Sequence, residues 1–193
     1  MKQMLVAFSL TSFLLVIGAG ASARAAGPWR AQIVDAETKQ PLEGIIVVAV
    51  WWKLTGGPGG WSSQYYDSEE VLTDKDGRFT IASRTFFSLN PMVTFRGPIF
   101  TIFKPGYGED VWPGWYTEAT QWSPEKRKKL GQPWEFFQLE GLVLEMPRLR
   151  TIEERKKYLD RIGIDIPSMP FERKKMPLFE RAIAEEREAL YGP

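Results

Sequence analysis

An unbroken apolar run, IIVVAVW, occupies residues 45–51, and five of its seven residues are β-branched. A PLEG turn at residues 41–44 precedes it, and the glycine-rich segment KLTGGPGGWSS at residues 53–63 follows. Alternate residues of a strand face opposite sides of a sheet, so a run that is apolar at every position indicates a strand buried on both faces. We therefore predict that residues 45–51 form the central strand of the fold.

Further strands are predicted on both sides of this run. The tetrapeptide DKDG at residues 74–77 predicts a tight turn, and hence a β-hairpin, because Gly and Asp tolerate a positive φ. In the arm that follows it, Phe79 and Ile81 should face one way and Arg78 and Thr80 the other. No helical period interrupts residues 32–107, which favours an antiparallel β-sandwich over a parallel α/β sheet. The predicted strands are residues 29–35, 45–51, 66–73, 78–83, 98–104 and 138–146.

Two segments between the predicted strands are interpreted as loops. Residues 53–63 contain four glycines and one proline, which predicts a loop without regular structure. Residues 107–134 are rich in glycine, proline and aromatic residues. Within them, Ser123 and Pro124 provide an N-cap and a first-turn proline, so a helix of about two turns is expected over 123–131. Its basic cluster at residues 126–129 is typical of a solvated face.

The first 25 residues have the plan of a secretory signal peptide. Lys2 precedes an apolar stretch from Leu5 to Ile17, and small residues flank the expected cleavage after Ala25. The stretch is shorter than the roughly 20 residues that span a bilayer, so a cleaved signal is favoured over a membrane anchor. We expect export by a Sec-type route to the periplasm or beyond, with no membrane span after cleavage. The chain has no cysteine, which favours a bacterial periplasm over a disulfide-stapled extracellular module.

The C-terminal residues change from strand patterns to helical ones. Thr151 and Glu154 form a capping box that opens a helix with Ile152, Leu159 and Ile162 on one side, ending at Gly163. A second helix should begin near Pro177, with its apolar side formed by Phe179, Ala182, Ile183, Ala189 and Leu190. Helices this short need a surface to pack on, so we expect them to pack on the sandwich, with docking on a partner as the alternative. The predicted organisation is a signal peptide (1–25), a β-sandwich (26–147) and a helical tail (148–193).

These segments resemble a known family. TKQPLEG followed by GIIVVAVW, the VLTDKDGRFTI turn region and FKPGY are similar to the carboxypeptidase regulatory-like, or transthyretin-like, domains of exported bacterial proteins. The resemblance covers residues 28–110 and extends to 139–146. It implies a seven-stranded Greek-key β-sandwich of the prealbumin type with a C-terminal helical tail. The tail segments PRLRTIEER and KKMPLFERAIAEERE are similar to those of single-domain bacterial members. Such sandwiches serve many unrelated tasks, so the resemblance implies no single activity.

Composition excludes most catalytic chemistry. The chain contains neither histidine nor cysteine, which closes the common routes to zinc, haem and blue-copper sites and to Ser-His-Asp or Cys-His nucleophiles. The enzymes related to the resembled fold, namely zinc carboxypeptidases, hydroxyisourate hydrolases and intradiol dioxygenases, all require histidines. A formal net charge of +1 gives no footprint for nucleic acid. We therefore expect no catalytic residues, no metal site and no cofactor.

Two acidic features leave alternatives open. A glycosidase needs only two positioned carboxylates, and the acids near aromatic residues are Glu69, Glu70, Glu109, Asp110 and Glu118. The DKDG segment also invites comparison with a calcium loop. Aligning Gly77 with the sixth position of an EF-hand puts Leu72 and Ser83 where Asp and Glu are required, so the turn explains these residues better.

Aromatic side chains are the remaining candidates for function. Planar rings in glycine-rich segments suit stacking on sugars or anchoring a protein interface, although such loops also bury their own rings. The candidate ligand-binding residues are Trp61, Tyr65, Tyr66, Trp112, Trp115 and Trp122. The sequence predicts an exported, non-catalytic binding module of the bacterial cell envelope, acting through these loops or the tail, with a protein or an envelope glycan as partner. The alternative is a carbohydrate-binding protein or a carboxylate-dependent glycan hydrolase.

Overall fold

The structure, a computed structural model, describes residues 22–108, 133–162 and 175–192. Over these residues the protein is broadly β-rich, with two α-helices in its C-terminal part. The strands are β1 (Ser22–Ala26), β2 (Trp29–Asp35), β3 (Ile46–Gly57), β4 (Gly60–Leu72), β5 (Arg78–Ile81), β6 (Arg84–Ser88), β7 (Val93–Phe103) and β8 (Val143–Met146). A 3₁₀ helix, η1 (Pro133–Gln138), precedes β8, and the helices are α1 (Ile152–Ile162) and α2 (Pro177–Tyr191).

The strands form two three-stranded sheets, in the orders β5-β2-β8 and β4-β3-β7, and one two-stranded ribbon, β1-β6. A shared core between the two larger sheets gives the molecule a sandwich-like character. Nearly all pairs are antiparallel, as expected, but β2 and β8 run parallel, with Gln32 opposite Val143 and Asp35 opposite Met146. Among the described strands this pair is the exception to the expected antiparallel pairing, because β8 returns to β2 after a long excursion rather than through a hairpin.

The apolar run of β3 is the centre of the structure, and every residue from Ile46 to Trp51 is buried. One face, represented by Val47 and Trp51, packs in the core between the sheets. The opposite face, represented by Ile46 and Val48, packs against α1 and α2. The prediction of a central strand buried on both faces is confirmed, and the second face is covered by the tail.

Helix α1 begins with the predicted capping box. Thr151 Oγ1 accepts the backbone N–H of Glu154 at 3.1 Å, and Glu154 Oε2 accepts that of Thr151 at 3.0 Å. Leu159 and Ile162 are buried as expected, whereas Ile152 is 56% exposed, so its predicted place on the buried side is wrong. On α2 the predicted apolar side is buried except for Ala189, which is exposed, while Glu186 is buried. Glu186 is buried because it pairs with Arg155 of α1, a contact that apolar periodicity does not reveal.

Polar contacts attach helix α2 to the sheet and the two helices of the tail to each other. Glu70 of β4 accepts the backbone N–H groups of Leu178 and Phe179 at 2.8 and 3.0 Å, at the N-terminus of α2. Arg155 of α1 donates two hydrogen bonds to the carboxylate of Glu186 on α2. A carboxylate at a helix N-terminus accepts hydrogen bonds from otherwise unpaired N–H groups and interacts favourably with the positive end of the helix dipole. The tail therefore packs in cis.

The DKDG segment turns as predicted but does not make a hairpin. Asp74 Oδ1 accepts the N–H groups of Asp76 and Arg78, both at 2.9 Å, and Gly77 has a φ of 71°. The strand before the turn pairs with β3 and the strand after it pairs with β2, so the turn carries the chain from one sheet to the other. Turn residues specify a local reversal, but the core decides which strands then pair. The alternation of β5 is as predicted, with Phe79 and Ile81 buried.

The glycine-rich segment 53–63 is not a loop, contrary to prediction. It forms the end of the β3-β4 hairpin, in which Gly56 is opposite Trp61 and Gly57 is opposite Gly60. Pro58 and Gly59 alone make the turn. Glycine weakens a strand but does not forbid it, and ladder pairing with β7 as well as β4 supports the segment on both edges.

Other boundaries differ by a few residues. β7 begins at Val93, five residues before the predicted start, and β8 begins at Val143, five residues after its predicted start, because η1 ends at Gln138 and residues 139–142 form a turn. The helix predicted over 123–131 lies outside the described residues. Among the residues that are described, no helix combines the length and the apolar character needed to cross a membrane.

Candidate binding surface

The sheet β4-β3-β7 extends beyond the sandwich core. Burial along β3 is complete as far as Trp51, and from Trp52 onward the residues are only partly buried or exposed. The pairing nevertheless continues to Gly57 on β4 and to Val93 on β7. This sheet extension, made of residues 52–57, 60–66 and 93–96, is thus a regular three-stranded platform with open surfaces.

A β-bulge marks the start of the sheet extension. Trp51 is opposite Asp67 and Trp52 is opposite Tyr65, so Tyr66 is the extra residue of β4. Tyr65 packs edge-on against Trp52 at 6.5 Å between ring centroids, and its hydroxyl is 2.9 Å from Ser68 Oγ. Tyr66 instead contacts aromatic rings on the other face of the sheet. Neighbouring residues of a strand face opposite sides, and the two tyrosines accordingly lie on opposite faces of the sheet.

Trp61 is 65% exposed, and its indole lies against the backbone of Gly56. A Cβ at position 56 would come within 3.3 Å of Trp61 Cη2 and 2.9 Å of Met92 Cε. A side chain at position 56 would make the end of Met92 and the indole of Trp61 shift, so glycine favours the close approach of Trp61 to the opposite strand. Register places Trp61 on the same face as Tyr65.

On the other face, Tyr66 joins an aromatic cluster with Phe86 and Phe95. Its ring centroid is 5.9 Å from that of Phe86 and 4.8 Å from that of Phe95. Phe86 stacks on Phe95 at 5.2 Å. Phe86 is buried, but Tyr66 remains 44% exposed, so the cluster joins the core to the surface.

Large exposed apolar side chains gather at this end of the molecule. Leu89 and Met92 lie in the connection between β6 and β7, and the N–H of Gly56 donates to the carbonyl of Met92 at 2.8 Å. We define the distal apolar surface as the exposed large apolar residues at this end of the molecule, with Trp61 and Tyr66 on opposite faces of the sheet; its members are Trp61, Tyr66, Phe87, Leu89 and Met92. Sequence reasoning missed Phe87 because no strand was predicted over residues 84–88. Neighbouring residues of a strand face opposite sides, and Phe87 is exposed where Phe86 is buried.

A charged cluster lies beside this surface. The Arg84 guanidinium is 4.0 Å from the ring centroid of the buried Trp51 and donates to Asp67 at 2.5 Å and to Glu69 at 2.8 Å. Lys175 also donates to Asp67, at 2.7 Å. Burial raises the pKa of Asp67, but the hydrogen bonds from Lys175 and Arg84 outweigh it, so the pKa of that carboxyl lies below its ordinary value.

The carboxylates proposed for a hydrolase are engaged elsewhere where they are described. Glu69 pairs with Arg84 on the face of Trp51, whereas Glu70 binds the N-terminus of α2 on the opposite face. These two acids therefore do not face a common substrate. Glu109, Asp110 and Glu118 lie outside the described residues. Within 22–108, 133–162 and 175–192, no group of three or more acidic side chains is placed to hold a metal ion.

A second buried network lies at the end of β2. Asp35 is fully buried, and its Oδ1 accepts the backbone N–H groups of Glu37 and Thr38 at 3.0 and 2.9 Å. Its Oδ2 accepts the Tyr107 hydroxyl at 3.1 Å and Arg148 Nε at 2.7 Å. The Thr38 N–H and then Arg148 hold the pKa of Asp35 far below its ordinary value, despite the opposing effect of burial. Both oxygens of Asp35 are thus occupied. The carboxylate stabilises the fold because it links three segments, those that follow β2, β7 and β8.

The remaining sequence-predicted site residues, Trp112, Trp115 and Trp122, lie outside the described residues. Trp61, Tyr65 and Tyr66 are all on β4, but only Trp61 and Tyr65 share a face. Comparison of the chain with family models, with curated proteins and with solved structures found no match in any of the three.

Proposed function

We propose that this chain is an exported, non-catalytic β-sandwich binding module of the bacterial cell envelope. The finer fold assignment, a seven-stranded Greek-key sandwich of the carboxypeptidase regulatory-like type, belongs to the same proposal. It is supported by the motifs of residues 28–110 and by the sandwich-like core between two sheets. Export is supported by the three-part plan of residues 1–25.

The observation that carries the binding function is the distal apolar surface. Isolated exposed apolar residues are ordinary, but a group of large ones at one end of a molecule is typical of an interaction site. Tyr and Trp are also enriched where interfaces concentrate their binding energy. Trp61 and Tyr66 lie on opposite faces of β4, which is paired with β3 on both sides of its bulge, so each ring is held on a paired strand. A protein partner is the leading occupant.

Carbohydrate binding is the second candidate, favoured by the placement of Trp61. Its indole lies against Gly56 and keeps 65% of its surface exposed, an arrangement suited to stacking on a sugar ring. Hydrolysis of the glycan would require acids other than Glu69 and Glu70, because those two carboxylates are engaged on opposite faces of the sheet.

Matched surface variants test the leading proposal. Phe87 and Ile152 are both 56% exposed, but only Phe87 belongs to the distal apolar surface. An envelope protein that co-purifies with the wild type should be retained by Ile152→Ser and lost by Phe87→Ser or Trp61→Ser. Equal retention by all variants would contradict the proposed surface.

Fluorine NMR of the chain labelled with 5-fluorotryptophan tests the glycan alternative. The sequence contains eight tryptophans, and a Trp61→Phe variant identifies the Trp61 resonance among them. Titration with envelope polysaccharides should then shift that resonance first. No shift of the Trp61 resonance across a broad panel would reject carbohydrate binding at this site.

Export has its own test. Fractionation followed by N-terminal sequencing should find the protein outside the cytoplasm with Ala26 as its first residue. Recovery of a chain that still begins at Met1 in the cytoplasm would reject the export part of the proposal.

A further inference from the structure

The edge of β6 that pairs with β1 lacks the usual protection of a sheet edge. In the described part of the chain, β6 is hydrogen-bonded to β1 alone, in a continuous antiparallel register from Ser22 opposite Ser88 to Ala26 opposite Arg84. The ladder contains neither a proline nor a bulge. These are devices by which proteins protect an edge from unwanted pairing, and this edge lacks both.

Side chains, rather than β1, hold β6 in place. Phe86 is buried and stacks on Phe95 of β7, and Arg84 is bound to two carboxylates of β4. The strand would therefore keep its position if β1 were removed. The backbone N–H and C=O groups of β6 that face β1, by contrast, would lose their hydrogen-bond partners.

The segment that forms β1 coincides with the end of the predicted signal peptide. Cleavage after Ala25 removes Ser22 to Ala25, which is all of β1 except Ala26. The mature chain would then present the β6 edge beside Phe87 and Leu89, which are 56% and 74% exposed. An exposed edge flanked by apolar side chains is the arrangement on which peptides bind as an added strand.

We propose that, in the mature chain, the β6 edge is a site that accepts an extended peptide strand from a partner protein. The proposal rests on the proposed export, because cleavage is what frees the edge. The β1 segment shows which chemistry the edge accepts: an antiparallel strand with small residues at the positions opposite Phe87 and Thr85, where β1 has Ala23 and Ala25. Affinity comes from main-chain hydrogen bonds, and Phe87 contributes selectivity against bulky side chains at the facing position.

The test uses the full chain in mild detergent, before and after cleavage by purified signal peptidase. The probe is a fluorescently labelled peptide of residues 21–27, ASARAAG. The matched control peptide carries Ala25→Pro and Ala26→Pro, which leaves its charge unchanged. Neighbouring amides of a strand point to opposite sides, so one of the two prolines must remove a donor that faces β6.

The labelled peptide should bind the cleaved chain and not the uncleaved chain, in which β1 occupies the edge. The proline peptide should bind at least roughly 2- to 12-fold more weakly, the contribution of one backbone hydrogen bond. In the cleaved chain, hydrogen exchange of alternate amides within 84–88 should be fast and should slow when the peptide is added. A change confined to alternate amides of β6 is distinguishable from a change in global stability, which would alter exchange in the core strands as well.

Slow exchange of the same amides in the cleaved chain without peptide would overturn the proposal, because the edge would then be closed. Equal binding of the two peptides, or equal binding to cleaved and uncleaved chains, would also overturn it. Failure of export is distinguishable from these results: an uncleaved chain in cells would reject the proposed function, while the peptide experiment on the enzymatically cleaved protein would still report on the edge.

Discussion

The packing of the tail on β3 makes a quantitative prediction at Phe179. This side chain of α2 is 3% exposed, and its ring lies edge-on to that of Phe103 at 5.8 Å between centroids. It also belongs to the cluster that covers Ile46 and Val48. The change Phe179→Ala removes the ring from a site where its neighbours are held by the sheet.

The expected loss can be assembled from these contacts. Returning a buried aromatic side chain to water costs about 1.5–3 kcal/mol, the edge-on aromatic pair adds about 0.5–1.5 kcal/mol, and the remaining cavity brings the total to about 3–5 kcal/mol. Phe87→Ala is the matched control: its side chain is 56% exposed, so the same change there should cost less than about 1 kcal/mol.

Urea denaturation of both variants measures the difference. The unfolding midpoint of Phe179→Ala should fall strongly while the slope stays unchanged, as expected for a loss of stability without a change in the surface exposed on unfolding. Equal losses for the two variants, or a loss below about 1 kcal/mol for Phe179→Ala, would show that α2 does not pack on the sheet as described.

Three further predictions concern the network, the surface and the tail. Asp35 has a folded-state pKa below its unfolded value of about 3.9, so its stabilisation is complete above that pH and is lost as the pH falls below it. The gap in urea midpoint between wild type and Asp35→Asn should therefore narrow on acidification from pH about 5 to about 2, and a constant gap would contradict the network. Gly56→Ala should displace Trp61 and shift its fluorine resonance, because the new Cβ would lie 2.9–3.3 Å from Met92 and Trp61 atoms; an unchanged spectrum would contradict the contact. Deletion of residues 148–193 uncovers the apolar face of β3 and should cause aggregation, whereas a stable monomer would show that the tail does not cover the core.

Local signals in the sequence predicted the features that depend on local chemistry. The run at residues 45–51 predicted a doubly buried strand because burial on two faces leaves no polar alternation. The capping box at Thr151 predicted the start of α1 because its hydrogen bonds involve only four consecutive residues. The sequence left two alternatives for the tail, packing on the sandwich or docking on a partner. It could not decide between them, because tail packing depends on contacts between distant residues such as Glu70 and Phe179.

Features that depend on strand pairing were not predictable in the same way. The DKDG turn has the same residues whether its flanking strands pair with each other or with different sheets. Residues 53–57 form a strand because they pair with the start of β4 on one edge and, over 53–55, with β7 on the other. Glycine content does not reveal such partners. Asp35 was predicted only as the last residue of the strand 29–35, since its partners Tyr107 and Arg148 come from distant parts of the chain. The candidate surface was likewise sought in loops, whereas Trp61 lies in a paired strand.

Site-specific photocrosslinking in cells tests the central claim, that the distal apolar surface is where this chain binds. A photoreactive phenylalanine analogue replaces either Trp61 or Ile152, two side chains that are 65% and 56% exposed but lie on different parts of the molecule. If the distal apolar surface binds a partner, the analogue at position 61 should crosslink to one discrete envelope protein and the analogue at position 152 to none. The absence of an adduct at position 61, or the same adduct from both positions, would contradict it.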